Sequence, residues 1–271
     1  MDHQAENALS KVPEVTFLFW LVKIAATTLG ETAGDAVSMS MGLGYIMGTA
    51  IFASIFLGVV LVEIKATCFH PVLYWVTIIT TTTMGTTLAD FSDRSLGIGY
   101  AGGTALLLCL LIGSLALWYR TLGSISIGSV VSPKQEIFYW VTIMFSQTLG
   151  TALGDWISDG LSFGYVGSAI LFSAFLALLA ATFYLTPISR TFLFWGAFVL
   201  TRPLGAVLGD FLDKPLNEGG LDLSRFTASL ALLIFIAFCI KQFPPTGGSK
   251  IPLIFLVDVL AIPELYNLRG F

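Results

Sequence analysis

Charge is what this sequence lacks most. Only 11% of its 271 residues are Asp, Glu, Lys or Arg, where a soluble domain carries about 25%. Together with 56% apolar residues and a mean hydropathy of +0.87, that scarcity excludes an ordinary water-soluble domain. Histidine is nearly absent (His3 and His70), and Cys68, Cys109 and Cys239 are scattered in or beside apolar runs. Neither residue type has the clustering of a zinc or copper site, and no disulfide framework is expected. No Ser–His, Cys–His or HExxH arrangement is present, so an enzyme is not expected. There is no basic patch, hence no expected nucleic-acid partner. The opening MDHQAENALS lacks the basic start and apolar run of a cleaved signal peptide, which leaves the first apolar helix as the expected insertion signal.

What the chain does have is a series of apolar runs near the ~20 residues needed to cross a bilayer as a helix. Backbone groups in lipid must pair internally, so helices are the expected solution. The runs are organised by a fourfold repeat. Trp20, Trp75, Trp140 and Trp195 are each followed ten residues later by Gly30, Gly85, Gly150 and Gly205. Fifteen residues after each tryptophan stand Asp35, Asp90, Asp155 and Asp210. The expected fold is all-α: a polytopic helical membrane protein with eight transmembrane helices in four parallel two-helix repeats. Repeats one and three are 120 residues apart, as are two and four, which predicts two pseudo-symmetric halves.

The boundaries read as a disordered N-terminus at 1–12, repeat 1 at 13–64, repeat 2 at 71–120, repeat 3 at 136–186 and repeat 4 at 191–241. An interfacial or disordered tail is expected at 242–271, the last stretch being too short to span. The second helices of the first three repeats open on GYIMGTA, GYAGGTA and GYVGSA, and the fourth on FTAS. On the tryptophan side lie Lys11, Lys65, Arg120, Lys134, Arg190, Lys241 and Lys250; on the aspartate side lie only Arg94, Lys214 and Arg225. That asymmetry predicts both termini in the cytoplasm and the aspartates facing outside, which for a bacterium means the periplasm.

At 100° per residue, positions 0, +7, +11, +15 and +18 from each tryptophan fall within about 60° of the tryptophan's own direction. Thr27, Glu31, Asp35 and Ser38 share that stripe in repeat 1, and Thr82, Thr86, Asp90 and Asp93 in repeat 2. Gln147, Thr151, Asp155 and Ser158 carry it in repeat 3, and Arg202, Ala206, Asp210 and Asp213 in repeat 4. Polar stripes avoid lipid, so the first helices should stand inside with the second helices around them. The four aspartates would then approach one axis, where unpaired carboxylates must hold protons or bind a cation. Two readings compete for them: an ion or proton site, and helix-capping residues.

Carboxylates with Thr86, Thr151 and Gln147 as neutral oxygen ligands suit a divalent cation, Mn2+, Mg2+ or Ca2+, as substrate, with no bound cofactor. The charges Lys23, Arg202 and Glu31 break the fourfold pattern. They read as a deep charge pair or as a proton-coupling site in which Glu31 exchanges a proton. Asp93, Asp159, Asp213, Glu218 and Asp222 read as a solvated acidic vestibule. The tryptophans read as anchors at the membrane interface, and the glycines as close-packing positions.

The four tryptophans and the paired helices between Val12 and Lys241 resemble a bacterial family of integral membrane proteins with four tandem repeats of unknown function. Each repeat in that family has two transmembrane segments and a tryptophan. The resemblance implies an inner-membrane protein and no particular activity. GETAGD at 30–35 is also similar to the glutamate–glycine–aspartate motifs of manganese and calcium exchangers, with two residues between Glu and Gly in place of one. The functional expectation is a transporter of a small cation, Mn2+ favoured, with possible proton coupling. The alternatives are a non-transporting scaffold, or a carrier of a small anionic or zwitterionic solute using Lys23 and Arg202. Expected partners are the bilayer, the cation and protons; a homo-oligomer is compatible with the sequence.

Overall fold

The computed structural model describes residues 10–247 apart from position 96. The described residues form eight long helices: α1 Phe17–Asp35, α2 Gly44–Lys65, α3 Pro71–Asp90, α4 Gly99–Leu122, α5 Pro133–Asp155, α6 Gly164–Leu185, α7 Arg190–Asp213 and α8 Arg225–Gln242. They contain no strand, only an isolated bridge between Pro13 and Gly247. The fold is all-α, as composition required.

Local chemistry sets the helix starts. The Thr16 hydroxyl accepts from the Phe19 N–H, so α1 begins at Phe17, not near Pro13. Pro71 opens α3, and Pro133 opens α5 behind a reciprocal Ser132–Gln135 capping box. Gly44, Gly99 and Gly164 start α2, α4 and α6 with φ between 66° and 75°, a conformation that penalises any side chain. This is the physical content of the three GY openings. The fourth repeat turns differently, with Asp222 at φ 55°, and its second helix opens without the glycine.

The lead-in expected to be disordered over 1–12 is in part firmly held. Ser10, Lys11 and Val12 are buried. The Ser10 hydroxyl donates to the Ile127 carbonyl at 2.7 Å, and the Lys11 ammonium reaches Glu136 at 2.7 Å. A polar segment was expected to be solvated; here its donors find buried acceptors. Likewise the Glu14 N–H donates to the Thr246 carbonyl, so the chain just past α8 is pinned beside the start. Of the tail expected at 242–271, Gln242 ends α8 and 243–247 are ordered against the start of the chain; residues 1–9 and 248–271 lie outside the described residues.

The helices are arranged as two shells. The inner shell is a closed ring, α1 against α3, α3 against α5, α5 against α7, and α7 against α1. Each second helix packs on the first helix of the next repeat: α2 on α3, α4 on α5, α6 on α7, and α8 back on α1. The four repeats thus close cyclically, each overlapping its successor. Five helices, α2, α4, α6, α7 and α8, are long and apolar enough to cross a membrane. The four outer ones leave Ile46, Leu57, Leu117, Ile170 and Leu178 exposed. Such a belt is the kind of surface that lipid covers. Helices α1, α3 and α5 are less apolar, being richer in threonine and other polar residues, and their threonines turn inward or bond their own backbone, as Thr77 does to the Leu73 carbonyl.

Candidate ion site on the bundle axis

The inner ring is held by glycines that receive the neighbouring stripe. A side chain on Gly30 would collide with Thr82, one on Gly85 with the Gln147 backbone, one on Gly150 with Arg202, and one on Gly205 with Thr27. Every +10 glycine thus faces the +7 residue of the next repeat, and the sequence of contacts closes on itself. Close approach of this kind is what small residues permit in helix pairs. It also turns the stripe residues toward their neighbours and the axis.

The tryptophan end is sealed by aromatics. Trp20, Trp75, Trp140 and Trp195 are 2–6% exposed. They alternate with the residue before each, in the closed order Trp20–Phe19–Trp75–Tyr74–Trp140–Tyr139–Trp195–Phe194. Neighbouring ring centroids in that circuit lie 5.1–6.3 Å apart. The tryptophans are therefore core residues and not interfacial anchors. The eight contacts alternate between edge-to-face and tilted, and eight rings in one circuit bury more apolar surface than four indoles could at a lipid boundary.

One level further in, Lys23 stands opposite Ile78, Ile143 and Phe198, all essentially inaccessible. Its ammonium lies 3.8 Å from the centroid of the Phe198 ring and makes no hydrogen bond. Of the two basic residues expected to pair with Glu31, Arg202 does so and Lys23 does not. One Arg202 terminal nitrogen donates to Glu31 at 3.0 Å, to the Thr86 hydroxyl at 2.6 Å and to the Thr151 hydroxyl. Glu31, Thr86 and Thr151 are the +11 residues of repeats 1, 2 and 3. In repeat 4 that position is Ala206, which leaves the space an arginine one turn earlier fills. Arg202 plugs the axis. Gln147 is fully buried on the same stripe, with neither amide atom hydrogen-bonded.

The four aspartates do converge, but in two pairs. Arg94 bridges Asp90 at 3.1 Å and Asp155 at 3.6 Å. Lys214 bridges Asp35 at 2.7 Å and Asp210 at 3.0 Å. Arg225 adds contacts to Asp35 at 3.7 Å and Asp213 at 3.2 Å. The expectation of four unpaired carboxylates on one axis is thus corrected: a basic residue sits between each pair. The capping reading also fails for two of them, since neither Asp35 nor Asp155 makes a side-chain capping bond to the turn that follows.

Those turns, Ala36–Ser40, Phe91–Ser95 and Trp156–Gly160, are single π-helical turns, a feature frequent at functional sites. The vestibule needs correcting as well. Asp93 and Asp213 are buried, while Asp159, Glu218 and Asp222 are exposed. Asp35, Asp210 and Asp213 can each offer an oxygen within 4.8 Å of the others'. Burial alone would discharge Lys214, but Asp210, Asp35 and Asp213 outweigh it and hold the ammonium charged far above the usual lysine range.

Arg94 and Lys214, which bridge the aspartate pairs, are the residues of this candidate site that sequence reading missed. Both stand at +19, and a count carried one turn past the aspartates would have found them. The repeat register is independently marked: the family model described as Repeat of Unknown Function (DUF347) matches residues 18–67, 73–124, 138–189 and 193–241, each match opening two residues before a tryptophan. The chain belongs to this family. No curated protein and no solved structure matches it. Within this DUF347 protein the matched repeats are the ones that close the ring, and the departures from fourfold symmetry (Lys23, Glu31, Arg94, Arg202 and Lys214) are the charged residues of the axis.

Proposed function

We infer that this DUF347 protein is an integral membrane transporter of a small cation, most fittingly a divalent one such as Mn2+, moving along the axis of the inner ring. It would sit in a bacterial inner membrane with both termini in the cytoplasm. The basic residues support that orientation: Arg94, Lys214 and Arg225 at the aspartate end are all engaged by buried carboxylates. The excess on the tryptophan side therefore stands for the cytoplasmic loops.

One observation carries the transport reading. Each aspartate pair is already built around a positive charge, supplied by a side chain at the same register in both halves. A tethered ammonium or guanidinium between two carboxylates marks where an exchangeable cation fits. Swinging Lys214 aside, together with Arg225 from Asp35 and Asp213, would leave Asp35, Asp210 and Asp213 as a three-carboxylate ligand set, hard-oxygen chemistry suited to Mn2+, Mg2+ or Ca2+. The buried Glu31–Arg202 pair and the aromatic circuit then form the closed side of the path, and Glu31 is the group placed to exchange a proton.

A thermal-shift series on detergent-purified protein tests this. A true substrate site stabilises by mass action, saturably and selectively among Mn2+, Mg2+, Ca2+ and Zn2+. Lys214→Met should bind more tightly than the wild type, because the nearer of the two built-in competitors, Lys214 at 2.7 Å from Asp35 against 3.7 Å for Arg225, is gone. No metal-dependent stabilisation in either protein would sink the reading.

A further inference from the structure

Donors outnumber acceptors on the axis between the aromatic circuit and the aspartates, and most of them are unanswered. The Lys23 ammonium is fully buried and has no hydrogen-bond partner. Arg202, also fully buried, uses one terminal nitrogen on Glu31, Thr86 and Thr151, while its Nε and other terminal nitrogen have no partner. Both amide atoms of buried Gln147 and the buried Thr82 hydroxyl are equally without one. Buried polar atoms left unpaired cost more than the bond they would have made, and four such side chains on neighbouring turns mark an occupied place.

They stand on consecutive turns of the inner ring. Thr82, Gln147 and Arg202 are the +7 residues of repeats 2, 3 and 4, each pressed against the +10 glycine of the preceding repeat. Lys23 lies one turn toward the tryptophans on α1, against Phe198, itself one turn before Arg202 on α7. Two basic side chains, Lys23 and Arg202, thus stand on neighbouring turns, both fully buried. Glu31 is the one carboxylate at this depth, and it neutralises only one of them.

We propose that Lys23, Arg202, Gln147 and Thr82 bind a small monovalent inorganic anion, chloride-sized, on the bundle axis. An ammonium offers three donors, a guanidinium edge two or three more, an amide two and a hydroxyl one. That inventory calls for an acceptor carrying about one negative charge, which is what Lys23 lacks. The Phe198 ring face shields the ammonium on one side, and the Glu31 carboxylate blocks the path toward the aspartates. A divalent anion would exceed the single uncompensated charge of Lys23, and a larger one would have to displace Thr27, Ile78 and Ile143, all essentially inaccessible.

The test uses the purified full-length protein in detergent with a chelator present, so that no divalent cation contributes. Sodium gluconate is exchanged for sodium chloride at constant ionic strength, and thermal stability is followed. The site predicts a saturable stabilisation by chloride and bromide that gluconate, too large to enter, does not give. Lys23→Met should abolish the chloride response while remaining folded in gluconate, since it removes an uncompensated buried charge. Gln147→Leu, which keeps both cations, should weaken the apparent chloride affinity about tenfold, the loss of one good hydrogen bond. Equal stability in chloride and gluconate, or a chloride response that survives in both variants, would overturn the site. The outcome is independent of the cation reading, which is probed at the other end of the axis with other ions.

Discussion

Arg94 and Lys214 stand at the same register in the two halves, 120 positions apart, and each joins the aspartate of its own repeat to the aspartate of the next. Fourfold repetition of the acids is thereby reduced to a twofold arrangement of ion pairs. Ser38 and Ser158 at +18 alternate with Asp93 and Asp213 in the same twofold way.

The two bridges should behave alike when cut. Arg94→Gln leaves Asp90 and Asp155 without their cation, and Lys214→Gln leaves Asp210 without one and Asp35 with Arg225 alone; removal of one partner of a fully buried pair costs roughly 3–5 kcal/mol, and the partly exposed Arg94 should fall below that. A divalent cation should restore much of that loss in both variants. Thermal stability measured with and without Mn2+ checks it, and a deficit that the metal leaves untouched in both would contradict the bridging role.

The Glu31–Arg202 pair makes a second, non-additive prediction. Arg202→Met strands a buried carboxylate and Glu31→Gln strands a second buried cation beside Lys23, so each alone should be costly. The double variant removes the opposite charges together and should be less destabilised than the sum of the two. A double-variant cycle read by thermal stability measures the coupling; simple additivity would show that the pair does not interact.

Helix closure can be examined through glycine. A Cβ on Gly85 would lie 3.0 Å from the backbone of Gln147 and Thr148, atoms that cannot rotate away. Gly85→Ala should therefore destabilise by about 1–3 kcal/mol. Gly58, on the outer face of α2, has nothing within 4 Å, and Gly58→Ala should stabilise by a few tenths to about 1 kcal/mol. Unfolding of the two purified variants compares them directly.

Asp93 supplies a pH dependence. It is buried, neither carboxylate oxygen has a hydrogen-bond partner, and Gly103 leaves the room it needs. Burial pushes its carboxyl up to about 6, the neighbouring Arg94 pulling the other way. The folded state holds this proton more tightly than the unfolded chain, so its contribution to stability falls as pH rises from about 4 through 6. Asp93→Asn should flatten that part of the stability profile and leave the protein more stable at pH 8. An unchanged profile would show that Asp93 is solvated.

Much of this was legible because a helix places spaced residues on one face. The +7, +11 and +15 stripe followed from a count, and the inner position of the first helices followed from the cost of polar groups in lipid. What a single-helix count cannot show is which repeat lies beside which. Arg202 at +7 reaching three +11 residues of other repeats depends on the order of the ring, and Ala206 as the vacated fourth position has meaning only once that ring is closed. The tryptophans misled because a lone indole near a helix end reads as an anchor. Phe19, Tyr74, Tyr139 and Phe194, one residue earlier in each repeat, were the signal that they belong to a continuous core.

Flux of Mn2+ into proteoliposomes bears most directly on the central claim that the paired aspartates border an ion path. The account predicts saturable uptake by the wild-type protein, reduced at least tenfold in Asp35→Asn and in its partner-half counterpart Asp155→Asn, with both variants folded. Uptake no greater than in empty liposomes, or uptake that ignores both substitutions, would contradict it.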